Sequence, residues 1–274
     1  MSRRELLVAG AGLLAAGACS KGGKSTAPAA GAVDVVQASA QLLSGTDQRV
    51  AVGIFERQKP VASGSATLRF GRNQGALGPP TPAVLHKEGI ETRPIFVATT
   101  RFTEPGVWIA EASWSGKRGF ARFQVIDPGS TQVPVPGQPM ISTPTPTPDD
   151  PKGVNPICTA DPICPLHDTS LDVALTQHRP LAVLFGTPAF CQSRVCGPVL
   201  DVLVSLRDEF ADRVHLLHVE SQPQATTYAP ALSAYHLDFE PILFLADANG
   251  TVKSRLDGPY DKQECRQALQ ALVS

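Results

Sequence analysis

The chain has 274 residues, a formal net charge of −1, and a composition that is 42% apolar and 18% charged. Lys and Arg scattered at near-neutral charge leave no electrostatic footprint for nucleic acid. The length exceeds one ordinary domain, and six cysteines make the redox compartment the first question.

The N-terminus reads MSRRELLVAGAGLLAAGAC. Arg3 and Arg4 precede an apolar run from Leu6 to Ala18, and Ala16, Gly17 and Ala18 lead into Cys19. That run is short of the ~20 residues that cross a bilayer, and it has the charged, apolar and small-residue regions of an export signal. Ser2-Arg3-Arg4 with Leu6-Leu7 resembles a twin-arginine signal, and AGAC resembles a bacterial lipobox. Residues 1–19 are therefore expected to be an export signal whose lipobox makes Cys19 the lipidated first residue. The mature protein is expected on the extracytoplasmic face of the cell membrane, or secreted if the lipobox is not used. A Gly/Ala/Lys/Ser-rich tether follows over 20–32.

Residues 33–127 carry short β-rich runs between turn signals: RVAVGIFE, SATLRF, IFVATTRF, VWIAEASW and GFARFQV. Trp108, Ala110, Ala112 and Trp114 alternate with Ile109, Glu111 and Ser113, the period of a half-buried strand. Five or more strands without a helical pattern predict a small all-β sandwich, similar to immunoglobulin-like modules. This region has no cysteine and one histidine, His86, so a spacer or partner-binding role is expected of it.

Residues 128–156 form a proline-rich linker, with eight prolines between 128 and 151. Such a segment is expected to run as an extended, stiff stalk. Twenty residues of it would reach roughly 60 Å at ~3.1 Å each.

Residues 157–274 alternate helix and strand signals. A helix over LDVALTQHR with a cap from Asp168-Thr169-Ser170 comes first, then a buried strand in PLAVLFG. Val199, Val202, Leu203, Leu206 and Phe210 follow a helical stripe through PVLDVLVSLRDEFADR. VHLLHVE is a strand and TYAPALSAYHL a shorter helix; PILFLAD and TVKSRLDG are strands joined at Asn249-Gly250. DKQECRQALQALV closes as a helix, giving the order α-β-α-β-α-β-β-α.

Outside the cytosol, thiols tend to be oxidised. Setting Cys19 aside leaves Cys158, Cys164, Cys191, Cys196 and Cys265, an odd number. Cys191 and Cys196 follow the first core strand in FCQSRVC. Five residues apart in a regular helix, their Cα atoms would be about 8.6 Å apart, beyond the roughly 4.4 to 6.8 Å of a disulfide. Either the helix begins near Cys196, with Pro198 in its first turn, or that turn unwinds when the bond forms. Cys191 at the strand-to-helix junction is the natural nucleophile, because a helix N-terminus favours thiolate, with Arg194 adding positive charge. Cys196 is the resolving partner; a permanent structural disulfide is the competing reading. Cys158 and Cys164 flank Asp161-Pro162 and are expected to form a local structural disulfide, or else a second redox couple. Cys265 shares a helical face with Leu269 and Leu272 and is read as a core thiol.

The order of elements, the cysteine pair after the first core strand, Glu240-Pro241 before ILFL and the ANG turn together resemble the thioredoxin-like superfamily. The resemblance covers roughly the last 115 residues, and Pro198 matches the proline of the active-site helix. It implies that Pro241 is a cis-proline facing the cysteines and shaping the substrate loop. The CxxC of that family is replaced by CxxxxC. The function it implies is thiol–disulfide exchange on exported protein thiols and disulfides, with a membrane or extracytoplasmic electron donor or acceptor and no cofactor.

Three other readings stand beside it. TPAFCQSRVC resembles PrxQ-like peroxiredoxins, with Thr187 one position off the expected threonine and Arg255 as a loose second arginine. A Sco-like copper carrier would need a histidine near the pair. His215 and His218, three apart on a strand, point to opposite faces, so at most one could join, and His236 stands alone. No metal ligand set is assigned. A non-catalytic binding module is the last reading.

Overall fold

The computed structural model describes residues 31–274. The expected export signal, its lipobox, Cys19 and residues 20–30 of the tether lie outside the described residues. No helix among the described residues is long and apolar enough to cross a membrane.

The first half is all strand: β1 (Asp34–Gln37), β2 (Leu42–Leu43), β3 (Asp47–Glu56), β4 (Lys59–Pro60), β5 (Ala66–Gly71), β6 (Thr81–His86), β7 (Ile95–Arg101), β8 (Gly106–Trp114) and β9 (Lys117–Ile126). The five β-rich runs of the sequence fall on β3, β5, β7, β8 and β9. They do not make two separate sheets. One hydrogen-bonded path, β1-β3-β7-β6-β5-β8-β9-β2 with β4 on β3, curls around a shared core. The join is β6, which pairs through Ala83 with Ala66 of β5 and through Val84 with Val97 of β7. Pro79 and Pro80 before this strand and Pro82 within it hide it in the sequence, since Pro82 has no N–H for the ladder. Val50, Val52, Leu68, Phe96 and Phe123 fill the curl.

The second half contains α1 (Leu171–Thr176), β10 (Leu181–Gly186), α2 (Cys196–Val204), α3 (Arg207–Phe210), β11 (His215–Glu220), α4 (Pro230–Ala234), β12 (Ile242–Ala246), β13 (Val252–Asp257) and α5 (Lys262–Val273). The sheet runs β11-β10-β12-β13, with β11 parallel to β10 and the other pairs antiparallel. Successive residues of a strand point to opposite faces, and here both faces are covered. Ala182, Leu184, Leu243 and Leu245 pack with α2 and α5. Val183, Phe185, Ile242 and Phe244 pack with Leu171 and Tyr235 on the other side. That double burial is why β10 and β12 read as unbroken apolar runs. The long helix expected after the cysteine pair breaks near Ser205 into α2 and α3.

The free stalk is not what forms. Prolines between 128 and 151 do limit helix and sheet, yet the few apolar residues among them are all used. Val133, Val135 and Met140 are buried, Val133 and Met140 against the face that holds Phe244 and Tyr235. Gly137 N–H donates to Val252 O and Met140 N–H to Gly250 O, each at 2.8 Å, so the segment runs along the edge beside β13. Further on, Thr145 N–H donates to Ser170 Oγ (2.8 Å), and Leu171 N–H donates to Thr145 Oγ1 (2.9 Å).

The two halves also meet directly. Ala51, Ile90 and Ile95 join the core that contains α2 and α5. Arg49 grips Glu264 through Nε–Oε1 (2.5 Å) and Nη2–Oε2 (2.7 Å), and His86 Nδ1 lies 2.8 Å from Asp261 Oδ1. Gly258, at φ +83°, turns beside the other half so closely that a Cβ would stand 2.0 Å from Ala38 O.

Docking makes a clear prediction. Met140→Ala should cost about 2 kcal/mol or more, the usual loss for a buried methionine, measured by denaturant unfolding; a free stalk would show no change.

Candidate functional site

Strand β10 ends at Gly186, and the chain crosses a short loop before α2 begins at Cys196. Cys191 in that loop and Cys196 are disulfide-bonded, with their Cα atoms 6.0 Å apart. The shortening from the helical distance comes from the loop: Arg194 takes φ +57° and donates its backbone N–H to Cys191 O at 3.0 Å. The helix thus starts at the second cysteine, the first of the two arrangements the spacing allows. Cys196 is 1% exposed and Cys191 7%, so an incoming sulfur reaches Cys191 first. The Cys196 N–H lies 3.4 Å from Cys191 Sγ, and Ser193 Oγ is 3.2 Å from the same sulfur. The first amide of α2 is thereby aimed at the sulfur that must carry negative charge.

Pro241 stands beside the pair. The Glu240–Pro241 peptide is cis, and the Cβ atoms of Pro241 and Cys196 stand 3.7 and 3.5 Å from the position of a Cβ on Gly186. The residue before it was missed as a site residue. A carboxylate oxygen of Glu240 and the two sulfurs lie within 4.8 Å of one another. Thr187 Oγ1 donates to Glu240 Oε2 at 3.0 Å. Burial pushes the Glu240 carboxyl up, with the Thr187 and Ser221 hydroxyls and His218 working against that rise. A groove lined by Phe190, Ser193, Ser221, Tyr228 and Glu240 opens next to the loop that carries Cys191. Phe190 and Tyr228 are exposed apolar side chains.

The remaining expected groups fall elsewhere. The exposed Arg194 side chain makes no hydrogen bond or ion pair among the described residues, and its backbone shapes the loop. Thr187 Oγ1 is committed to Glu240 and accepts from Gln222 N–H (2.8 Å). Arg255 binds Asp257, Gln41 and Pro134 O, far from a peroxide-holding role. Cys265 is fully buried in α5, and burial pushes its thiol up to about 12.

Cys158 and Cys164 are not bonded to each other, which corrects the expected structural disulfide. Both sulfurs turn instead toward one imidazole: His218 Nδ1 is 3.7 Å from Cys158 Sγ and 3.4 Å from Cys164 Sγ. His167 Nε2 lies 3.2 Å from the same nitrogen. All four residues are buried, and their ligand atoms lie within 4.8 Å of one another. The contact between the two sulfurs, helped by His167 and His218, holds the Cys158 thiol well below the usual cysteine range, and the same contact with burial pushes the Cys164 thiol up.

No protein-family model and no curated protein matches the chain. One solved structure to which it is similar is a thiol:disulfide interchange protein, a thioredoxin family protein from Chlorobium tepidum TLS. The match has 19% identity and a TM-score of 0.31, and it covers 48% of this chain and 98% of that one.

His218 is therefore one of a group, as the strand argument allowed for a single histidine, but its partners are the cysteines ahead of the sheet and not Cys191 and Cys196. His167 was passed over although it follows Cys164 closely in ICPLHD, a spacing that could have drawn attention. His215 and His236 join neither group.

Exposure and thiol acidity predict an order of reactivity. After mild reduction of the folded protein, iodoacetamide should label Cys191 first, Cys196 slowly, and Cys265 only on unfolding, as read by peptide mass mapping.

Proposed function

We propose that this chain is an extracytoplasmic thiol–disulfide oxidoreductase that works through Cys191 and Cys196. The observation that carries the proposal is the pair itself: a bonded, strand-to-helix cysteine pair with its outer sulfur beside a groove, Pro241 on one side and the Glu240 carboxyl within reach of both sulfurs. The partners proposed are exported proteins with thiols or disulfides, together with a membrane or extracytoplasmic electron donor or acceptor. Export and lipidation at Cys19 belong to the proposal and rest on the sequence of residues 1–19.

In the reducing direction, the Cys191 thiolate attacks one sulfur of a substrate disulfide. A Cys191–substrate bond forms, and the substrate's second sulfur leaves as a thiolate and takes a proton from water. Cys196 then loses its proton to the Glu240 carboxylate and attacks Cys191 Sγ. The Cys191–Cys196 bond forms, the mixed disulfide breaks, and the proton returns through Glu240 or water to the departing substrate sulfur. The substrate gains two electrons and two protons, and the protein dithiol loses the same. Oxidation of a substrate dithiol is the reverse sequence.

The roles differ by position. The α2 amide at Cys191 Sγ stabilises the thiolate that attacks and leaves. Glu240, with a carboxylate oxygen within 4.8 Å of both sulfurs, acts as general base on the buried Cys196 through one intervening water. Phe190 and Tyr228 offer an apolar rim for the polypeptide that carries the substrate disulfide.

Full-length protein and its variants test this by exchange with a dithiol-linked reporter disulfide. Cys191→Ser should abolish exchange, and Cys196→Ser should accumulate a mixed disulfide visible on a non-reducing gel. Exchange that survives Cys191→Ser, or rapid peroxide consumption that needs Cys191, would overturn the reading.

Glu240→Gln should slow resolution by at least about 10-fold, within the usual range for a lost general base. Because the Glu240 carboxyl is raised, its base form disappears as pH falls through a value above that of an ordinary glutamate. The wild-type rate should therefore drop on that acid limb, and the Gln variant should lose the limb in a stopped-flow pH series.

A further inference from the structure

We propose that Cys158, Cys164, His167 and His218 form a closed tetrahedral site for a zinc-class divalent cation, separate from the Cys191–Cys196 pair. The distances are those of a ligand shell. Around a tetrahedral zinc, with Zn–N near 2.0–2.1 Å and Zn–S near 2.3 Å, two nitrogens stand about 3.3 Å apart and a nitrogen and a sulfur about 3.5 Å apart. Here His167 Nε2 and His218 Nδ1 are separated by 3.2 Å, and His218 Nδ1 lies 3.4 and 3.7 Å from the two sulfurs. The two sulfurs are not bonded to each other, and both lie against one imidazole nitrogen.

The surroundings fix the ligands in place. His218 Nε2 lies 3.0 Å from Gly186 O, so its N–H donates there and Nδ1 is left with the lone pair that a metal takes. Metal-binding histidines usually carry such a partner on the second nitrogen. The loop that supplies both cysteines is pinned to the sheet as well. Thr159 N–H donates to Glu220 Oε2 at 2.6 Å, Thr159 Oγ1 accepts from Ala189 N–H at 3.1 Å, and His218 N–H donates to Leu166 O at 2.9 Å.

The donor set selects the ion. Two thiolates and two imidazoles in a tetrahedron suit zinc, and hard cations prefer oxygen ligands. Four protein ligands, each less than 10% exposed, leave no open position, which marks a structural site and not a catalytic one. Binding releases to solvent the proton that the two sulfurs still hold and forms four coordinate bonds, with no change of oxidation state. The ion would tie the 158–167 loop to β11.

Elemental analysis of the purified full-length chain should find about one zinc per molecule. That content should persist in the Cys191→Ser/Cys196→Ser double variant and fall in Cys158→Ser and His218→Ala. Because those single variants can fail to fold, the native protein carries a second test. After exchange with Co(II), it should show the intense visible bands of tetrahedral cobalt and thiolate-to-cobalt charge transfer from two sulfurs. A Cys158–Cys164 disulfide in non-reducing peptide maps, with no zinc bound, would overturn the proposal. So would stoichiometric Cu(I) in place of zinc, or zinc lost only with Cys191 and Cys196.

Discussion

Both cysteine groups hang on one backbone position, the end of the central strand β10. Gly186 O accepts from His218 Nε2 at 3.0 Å and from Ser221 N–H at 3.3 Å. On its other side, where a side chain would project, Cys196 and Pro241 close in. The strand can hold this place only because its neighbours are in register: β11 runs parallel with His218 opposite Leu184, and β12 begins opposite Phe185 with Ile242. A one-residue slip would turn His218 to the far face and carry Pro241 off the disulfide. Register, enforced by apolar packing on both faces of β10, is therefore what places the chemistry.

The contrast between the two groups follows from what faces the sulfurs. Around Cys191 and Cys196 stand a hydroxyl, a helix amide and a protonatable carboxyl, groups that favour a sulfur able to gain and lose partners. Around Cys158 and Cys164 stand two imidazoles, and all four side chains are buried. The same element thus stands in two settings that differ in what faces the sulfur.

Much of this could be read from the residues. The apolar runs of β10 and β12, the stripe of α2 and the closing helix all carry local signals strong enough to stand alone, whereas the cis-proline was implied only by the family resemblance. The distance argument on Cys191 and Cys196 also limited the helix start to two places, and one of them is found. What stayed hidden depends on contacts between distant parts of the chain. Val133 and Met140 look like isolated apolar residues among prolines until β13 offers them an edge. Cys158 and Cys164 look like a pair because only each other is near in sequence; His218 comes to them across 54 residues from Cys164. Glu240 was noticed only as the neighbour of Pro241, since nothing local says that a carboxyl at that position faces two sulfurs.

Asp261 has a consequence of a different kind. One carboxylate caps α5 through Glu264 N–H and also accepts from His86 and from the backbone N–H of Lys87 in the curled sheet. A helix end that would ordinarily be closed by its own turn is here closed by both halves at once. The last helix cannot reach its full stability before the first sheet exists, and the sheet loses buried partners when the helix departs. In a chain made from its N-terminus, the sheet is ready first and serves as a template for the end. Once assembled, the two halves are expected to melt in a single cooperative transition, as one folding unit built from two architectures.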